Sequence, residues 1–345
     1  AIPDFAAGAM ENWGAITFRE TILLYDPKTS STRTKQYIAE VISHEIAHQW
    51  FGNLVTMKWW NDLWLNESFA TFMATKIVDR FYPEWDYWDQ FLDDAMNTAM
   101  SLDALKTSHP IDVKVNHPSE IREIFDSISY DKGGCILRML EHFVGEKNFQ
   151  KGLQKYLTKH QYDNAQGSDL WNAIGQVSKQ PIDKMMKTWI NQVGFPLLEV
   201  KRNTSTLTLK QSRFLLEGDK NPSKKTWSIP LVIEEGNQRM KKLMTKKSEK
   251  IHLKNKDRNF IINSGRTGFY RIQYDKETLE NLSLLIEEKI LDHVDRWSLQ
   301  NDYFAQAVSG KKNIQEYRDF TSAYYDEDNY ISSLSLAHNL HSLYI

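Results

Sequence analysis

The chain has 345 residues, 43 of them Lys or Arg and 45 Asp or Glu, with a formal net charge of -2 and 41% hydrophobic residues. Such a composition is globular, supports a sizeable core and two or three domains of ~100–200 residues each, and speaks against a nucleic-acid or membrane-surface protein as a whole. Its single cysteine, Cys135, excludes a disulfide framework and a cysteine-based metal site, and fits a reducing, cytoplasmic compartment.

No run of ~18 apolar residues is present, so no transmembrane segment is expected, and no signal-peptide pattern is visible. The chain opens on AIPDF and finishes on LHSLYI inside a helical pattern without a stop signal. A fragment of a longer polypeptide is therefore expected.

Residues 1–25 read as strand and loop, with a strand predicted over Thr17–Tyr25 from its β-branched and aromatic content. Gly8 permits unusual backbone angles and close approach of a ligand. Glu11 sits in an apolar neighbourhood. It is either a turn carboxylate facing water or a buried carboxylate awaiting a cation, and composition does not choose.

After a polar loop at 26–34, a helix is predicted over Lys35–Phe51, ending at Gly52-Asn53. It carries His44, Glu45 and His48 in the pattern H-E-x-x-H. Histidines at i and i+4 share one helix face, the spacing two imidazoles need to hold one metal ion. Glu67 follows on a second helical stretch, Leu63–Phe81. Two His and one Glu around zinc leave a fourth position for water, the mark of a catalytic site. Glu45, beside His44, is placed to take a proton from that water. The bland reading is a helix with polar residues on its surface. Against it stand the apolar flanks Ile42, Ile46, Ala47, Trp50 and Phe51, since buried His and Glu are costly unless paired or metal-bound.

Trp59, Trp60 and Trp64 read as core packing beneath these helices, with a substrate-facing aromatic as the alternative. Asn61 or Asp62 is a candidate cap for the second helix, and Asp62 alternatively orients a metal-bound imidazole. Past Pro83 a helix is predicted over Glu84–Ser101. His109 and His117, each before a proline, read as surface residues. A short helix starts at Ser119, and another runs through Ile136, Leu137, Leu140 and Phe143 to Gly145, with Tyr130 at its head. Periodicity alone makes Tyr130 a core or rim tyrosine. Helices follow over Glu146–His160, Ser168–Gln176 and Pro181–Asn191, with Ser168-Asp169 as a start signal.

Beyond Gly194-Phe195-Pro196 the pattern becomes short and alternating, predicting an antiparallel β-sandwich over 195–275. Its lysines 241, 242, 246, 247 and 250 lack interleaved aromatics and read as a solvated face rather than a nucleic-acid patch. From Lys276 three helical stretches suggest the start of a helical array.

Gly8-Ala9-Met10-Glu11-Asn12, the HEIAH helix and Asn66-Glu67 together resemble the gluzincin metallo-aminopeptidases, the family of aminopeptidase N, puromycin-sensitive aminopeptidase and the archaeal tricorn-interacting aminopeptidases. The resemblance extends across 1–275 and into 276–345. It implies a multidomain α+β chain: a thermolysin-like, mainly helical catalytic domain at 1–194 lacking its start, the β-sandwich at 195–275, and a truncated helical domain at 276–345. It also implies zinc on His44, His48 and Glu67, with Glu45 as general base. Tyr130 would stabilise the oxyanion, Glu11 would bind the peptide's free α-ammonium, and Gly8, Ala9, Met10 and Asn12 would line the substrate. Peptides with a free N-terminus are the implied partners, and a monomer the implied state. An amino-terminal β-domain found in the family has no counterpart here. An epoxide hydrolase or endopeptidase on the same scaffold stays open, although the epoxide-hydrolysing relatives carry Gly where this chain has Ala9. A non-catalytic interaction scaffold is the third alternative.

Overall fold

The computed structural model describes residues 1–217, 224–236, 238–255 and 259–344. Ile345, the last residue of the expected helical array, lies outside them. In chain order the first part contains β1 (Ala9–Met10), β2 (Thr17–Phe18), α1 (Thr32–Ala47), β3 (Val55–Met57), α2 (Trp64–Phe81), α3 (Tyr87–Phe91) and α4 (Asn97–Asp103). There follow α5 (Gly133–Val144), α6 (Glu146–His160), β4 (Asp163–Ala165), α7 (Gly167–Ser178) and α8 (Ile182–Ile190). Next come strands β5 (Pro196–Asn203), β6 (Thr206–Arg213), β7 (Ile229–Glu235), β8 (Gln238–Met244), β9 (Ser248–His252), β10 (Phe260–Ile262) and β11 (Arg271–Tyr274). Helices α9 (Lys276–Glu287), α10 (His293–Val308), α11 (Ile314–Phe320) and α12 (Tyr330–Tyr344) complete the order. The chain divides into two compact units, residues 1–96 with 111–186, and residues 97–110 with 187–345.

In the first unit α2 is the central element. Trp64, Leu65, Phe69, Ala70, Phe72, Ala74 and Val78 are all buried along it, so it is apolar on nearly every side. It packs against α1 and α5. Phe51 and Phe69 stack at 4.4 Å between ring centroids, fixing the exit of α1 against α2. The approach of α5 is close because Gly133 lacks a side chain: a Cβ there would lie 1.8 Å from Ser68 Oγ.

Several boundaries differ from the sequence reading. Helix α1 starts three residues earlier than expected, because Ser31 accepts from the Thr34 amide as an N-cap. It also ends earlier, where the Gln49 and Trp50 amides turn to the carbonyls three residues back. The strand expected over Thr17–Tyr25 is only Thr17–Phe18, since β1 offers a two-residue partner and the chain then turns through Glu20–Ile22. The expected Glu84–Ser101 helix is interrupted by Asp86 at φ 44 and a π turn at Leu92–Met96. Helix α7 is capped by Gln166 and Asp169 rather than by Ser168. Of the three tryptophans Trp64 is buried and Trp60, partly buried, packs on Leu63, Val115 and Ile124, as expected; Trp59 is half exposed, its Nε1 donating to the Val115 carbonyl. Asp62 caps neither α2 nor a histidine: its Oδ1 accepts the Gly167 amide at the start of α7, 3.3 Å away.

In the second unit the strands form a four-stranded sheet in the order β11-β5-β6-β9 and a three-stranded sheet in the order β10-β7-β8. All pairs in these sheets are antiparallel except β11 with β5, which run parallel from Arg271↔Leu197 to Tyr274↔Val200. That pairing joins segments over seventy residues apart, which local patterning does not reveal. The third expected helical stretch is two helices, α11 and α12. Buried Asp302 on α10 receives both Arg266 and Arg271, at 2.8 and 2.9 Å, and the Ile272 amide at 2.8 Å. Charges this deep persist because each is paired.

Candidate active site

The i,i+4 spacing brings His44 and His48 together at the end of α1. Their Nε2 atoms are 3.0 Å apart. Glu67, in the first turn of α2, reaches the same point, with Oε2 3.4 Å from His44 Nε2 and 3.3 Å from His48 Nε2. Among the described residues this trio is the cluster that could hold a metal ion. A tetrahedral zinc with bonds of ~2.0–2.2 Å requires donor-to-donor edges of about 3.3 Å, so the donor set fits zinc in type and spacing. The Nδ1 of His48 donates to the Phe51 carbonyl at 3.0 Å, which leaves Nε2 as its ligand atom.

Electrostatics agree. Burial disfavours the Glu67 carboxylate, but hydrogen bonds from His44 and His48 outweigh it and hold the group at about 2. Burial also disfavours a charged His48, yet the hydrogen bond and charge of Glu67 raise it to about 9. The site therefore favours positive charge at the point where these atoms meet, whether carried by protons or by a metal.

Glu45 is buried beside the cluster, and among the described residues nothing hydrogen-bonds its Oε2. Burial, reinforced by Glu11 and Glu67, raises it to about 7. A carboxyl poised there can accept and return a proton near neutrality. Tyr130 lies on a π turn, Ile128–Lys132, immediately before α5. Its ring stacks on His44, with centroids 6.0 Å apart and planes 6° apart, and Glu67 is the strongest-acting charge on its hydroxyl. Burial, and then the carboxylates of Glu67, Glu11 and Glu45, push its ionisation far above the tyrosine range. It is therefore a neutral donor at any working pH. Ser68, next to Glu67, donates to the Ser129 carbonyl at 2.6 Å and ties the π turn to α2.

Glu11 follows β1, with Oε1 4.0 Å from His48 Nδ1. Gly8, Ala9 and Met10 run up to it, and Ala9 and Met10 pair with Phe18 and Thr17 of β2. Asn12 is exposed and donates to Thr17 Oγ1. Two residues missed in the sequence, Asn53 and Gln49, donate to the Glu11 carbonyl at 2.8 and 3.4 Å. Nothing local marks them; the contact spans about forty residues. Of the apolar flanks of the motif, Ala47 and Phe51 are buried while Ile46 and Trp50 are about half exposed, since only one side of α1 faces α2.

Residues 1–189 match the Peptidase family M1 domain, and residues 259–345 the ERAP1-like C-terminal domain. The chain belongs to peptidase family M1. It is 44% identical over 344 residues to probable aminopeptidase 2 of Sulfurisphaera tokodaii, covering 100% of this chain and 43% of that protein. It is 44% identical over 345 residues to tricorn protease-interacting factor F2 of Thermoplasma volcanium, with the same coverage. Against aminopeptidase M1 of Arabidopsis thaliana it is 42% identical over 347 residues, covering 96% of this chain and 39% of that protein. The chain thus spans about two fifths of the length of these curated relatives. Among the described residues no helix is long and apolar enough to cross a membrane.

Proposed function

We propose that the protein carrying this chain is a zinc aminopeptidase that hydrolyses the first peptide bond of peptides with a free N-terminus. The observation that carries the reading is the meeting of His44, His48 and Glu67 at one point, with the Glu45 oxygen that no described residue hydrogen-bonds and the Tyr130 hydroxyl beside it. Membership of family M1, and relatives named aminopeptidases, support it.

His44, His48 and Glu67 would hold the metal, which when bound supplies a Lewis acid for the scissile carbonyl and the attacking water. Glu45 takes the proton from that water on Oε2 and delivers it to the leaving amine. Tyr130 donates its hydroxyl to the developing oxyanion, a contact worth ~3–4 kcal/mol when made only in the transition state. Glu11 receives the substrate ammonium, while Gly8, Ala9, Met10 and Asn12 border the peptide. A part-buried carboxylate favours a substrate that brings a cation, and an acylated or internal bond brings none. The same reading places a catalytic domain at 1–194, a β-sandwich at 195–275 and a helical domain from 276. The one cysteine, buried Cys135, is consistent with a cytoplasmic setting.

Amino-acid release from free and N-acetylated peptides tests the reading. Free peptides should be cut, acetylated ones spared, chelation should abolish turnover and zinc restore it. Glu45→Gln should keep the metal and lose turnover. Equal rates on free and acetylated peptides would refute the aminopeptidase assignment.

A further inference from the structure

We propose that Asn53 is a specificity-determining positioning residue that sets the distance between the amine anchor Glu11 and the metal ligands, so that one α-amino-acid residue spans them. The inference rests on the reading of Glu11 given above.

An aminopeptidase must hold the substrate ammonium and the scissile carbonyl at once, and in an α-amino acid their separation is covalently set. The anchor must therefore stand at a fixed distance from the metal, within tenths of an ångström. Glu11 is poorly placed to keep that distance by itself. The β1–β2 ladder has only two pairs and ends at Met10↔Thr17, one residue short of it.

What bridges the gap comes from the helix that carries the histidines. Just beyond His48 the chain turns through Gly52, whose φ of 133 is a backbone state that side chains rarely adopt. The turn returns the Asn53 amide to the His48 carbonyl at 3.0 Å. Asn53 Nδ2 then donates to the Glu11 carbonyl at 2.8 Å. One residue thus touches the main chain of a metal ligand on one side and of the amine anchor on the other. Gln49 makes a weaker parallel link, donating to the Glu45 carbonyl at 3.1 Å and to Glu11 at 3.4 Å. The turn has little slack: a Cβ on Gly52 would lie 3.3 Å from both His48 Nδ1 and Asn66 Nδ2.

Alanyl and β-alanyl anilides measure this distance, since β-alanine adds one methylene between amine and carbonyl. Asn53→Ala and the near-isosteric Asn53→Asp, which lacks the donor, should both raise KM for the alanyl substrate about tenfold. Their preference for alanyl over β-alanyl should fall by a similar factor, while zinc stoichiometry stays at the wild-type value. In the Glu45→Gln background, calorimetry with alanyl and β-alanyl peptides should show the same loss of discrimination in binding. Wild-type discrimination in zinc-loaded Asn53→Asp would overturn the proposal. So would loss of zinc from both variants, which would show that Asn53 serves His48 alone. Glu11→Gln separates the two claims: if it leaves the preference for free over acetylated peptides intact, the reading of Glu11 itself fails.

Discussion

Gly133→Ala is the sharpest structural test of how Tyr130 is held. The new Cβ would sit 1.8 Å from Ser68 Oγ and 2.6 Å from Ser68 Cβ, where ordinary contact begins near 3.4 Å, so even with Oγ turned away α2 and the start of α5 must part by about 0.8 Å. Overpacking of this kind costs ~3 kcal/mol, set against a helix-propensity gain of up to ~1 for alanine, leaving a net loss of about 2. Ser68→Gly alone should cost about 1.5 kcal/mol, from the lost hydrogen bond to Ser129 and the glycine in a helix. In the double variant the nearest remaining atom of residue 68 is its Cα, at 3.7 Å, so the clash is gone. The double variant should thus be no less stable than Ser68→Gly, whereas additivity puts it about 3.5 kcal/mol below wild type. Urea unfolding of the four proteins, followed by tryptophan fluorescence, measures the coupling. Additive losses would refute the argument that the two helices meet through Ser68 and Gly133.

Tyr130→Phe keeps the stacked ring and removes one donor, so kcat should fall about 100-fold with KM and bound zinc little changed; a fall below about threefold in steady-state assays would remove its oxyanion role. Asp302→Ala removes the counter-charge of two buried guanidinium groups and should destabilise by ~3–5 kcal/mol in chemical denaturation, with a loss below about 1 counting against the pairing. Asp295 is raised by burial from 3.8 to about 6. The folded state then binds its proton more tightly than the unfolded state does, so this stabilisation is complete below pH 3.8 and is lost as pH rises through about 6. The difference is on the order of 3 kcal/mol. Asp295→Asn, which keeps an acceptor for the Gly265 amide, should flatten that part of the stability-against-pH curve; an unchanged curve would show the carboxyl ionises normally.

His44, Glu45 and His48 were legible because helical periodicity is local: residues four apart must share a face wherever the helix lies. Most helices were legible for the same reason, including α6, whose bounds agree residue for residue with the spacing. Glu67 needed its distance along the chain and the motif around it. Glu11 and Tyr130 were ambiguous in their own neighbourhoods, and only resemblance singled them out.

The residues alone determined the helix that presents two imidazoles and a carboxylate, the apolar α2 behind it, and the change to strands after Gly194. Tertiary structure decided where Asp62 finds its partner, why Trp59 stays half exposed, which strand runs parallel to β5, and that Asn53 holds Glu11. Helix faces and caps depend on neighbours within a few positions. Those other relations join segments tens of residues apart, and close only when the whole chain packs.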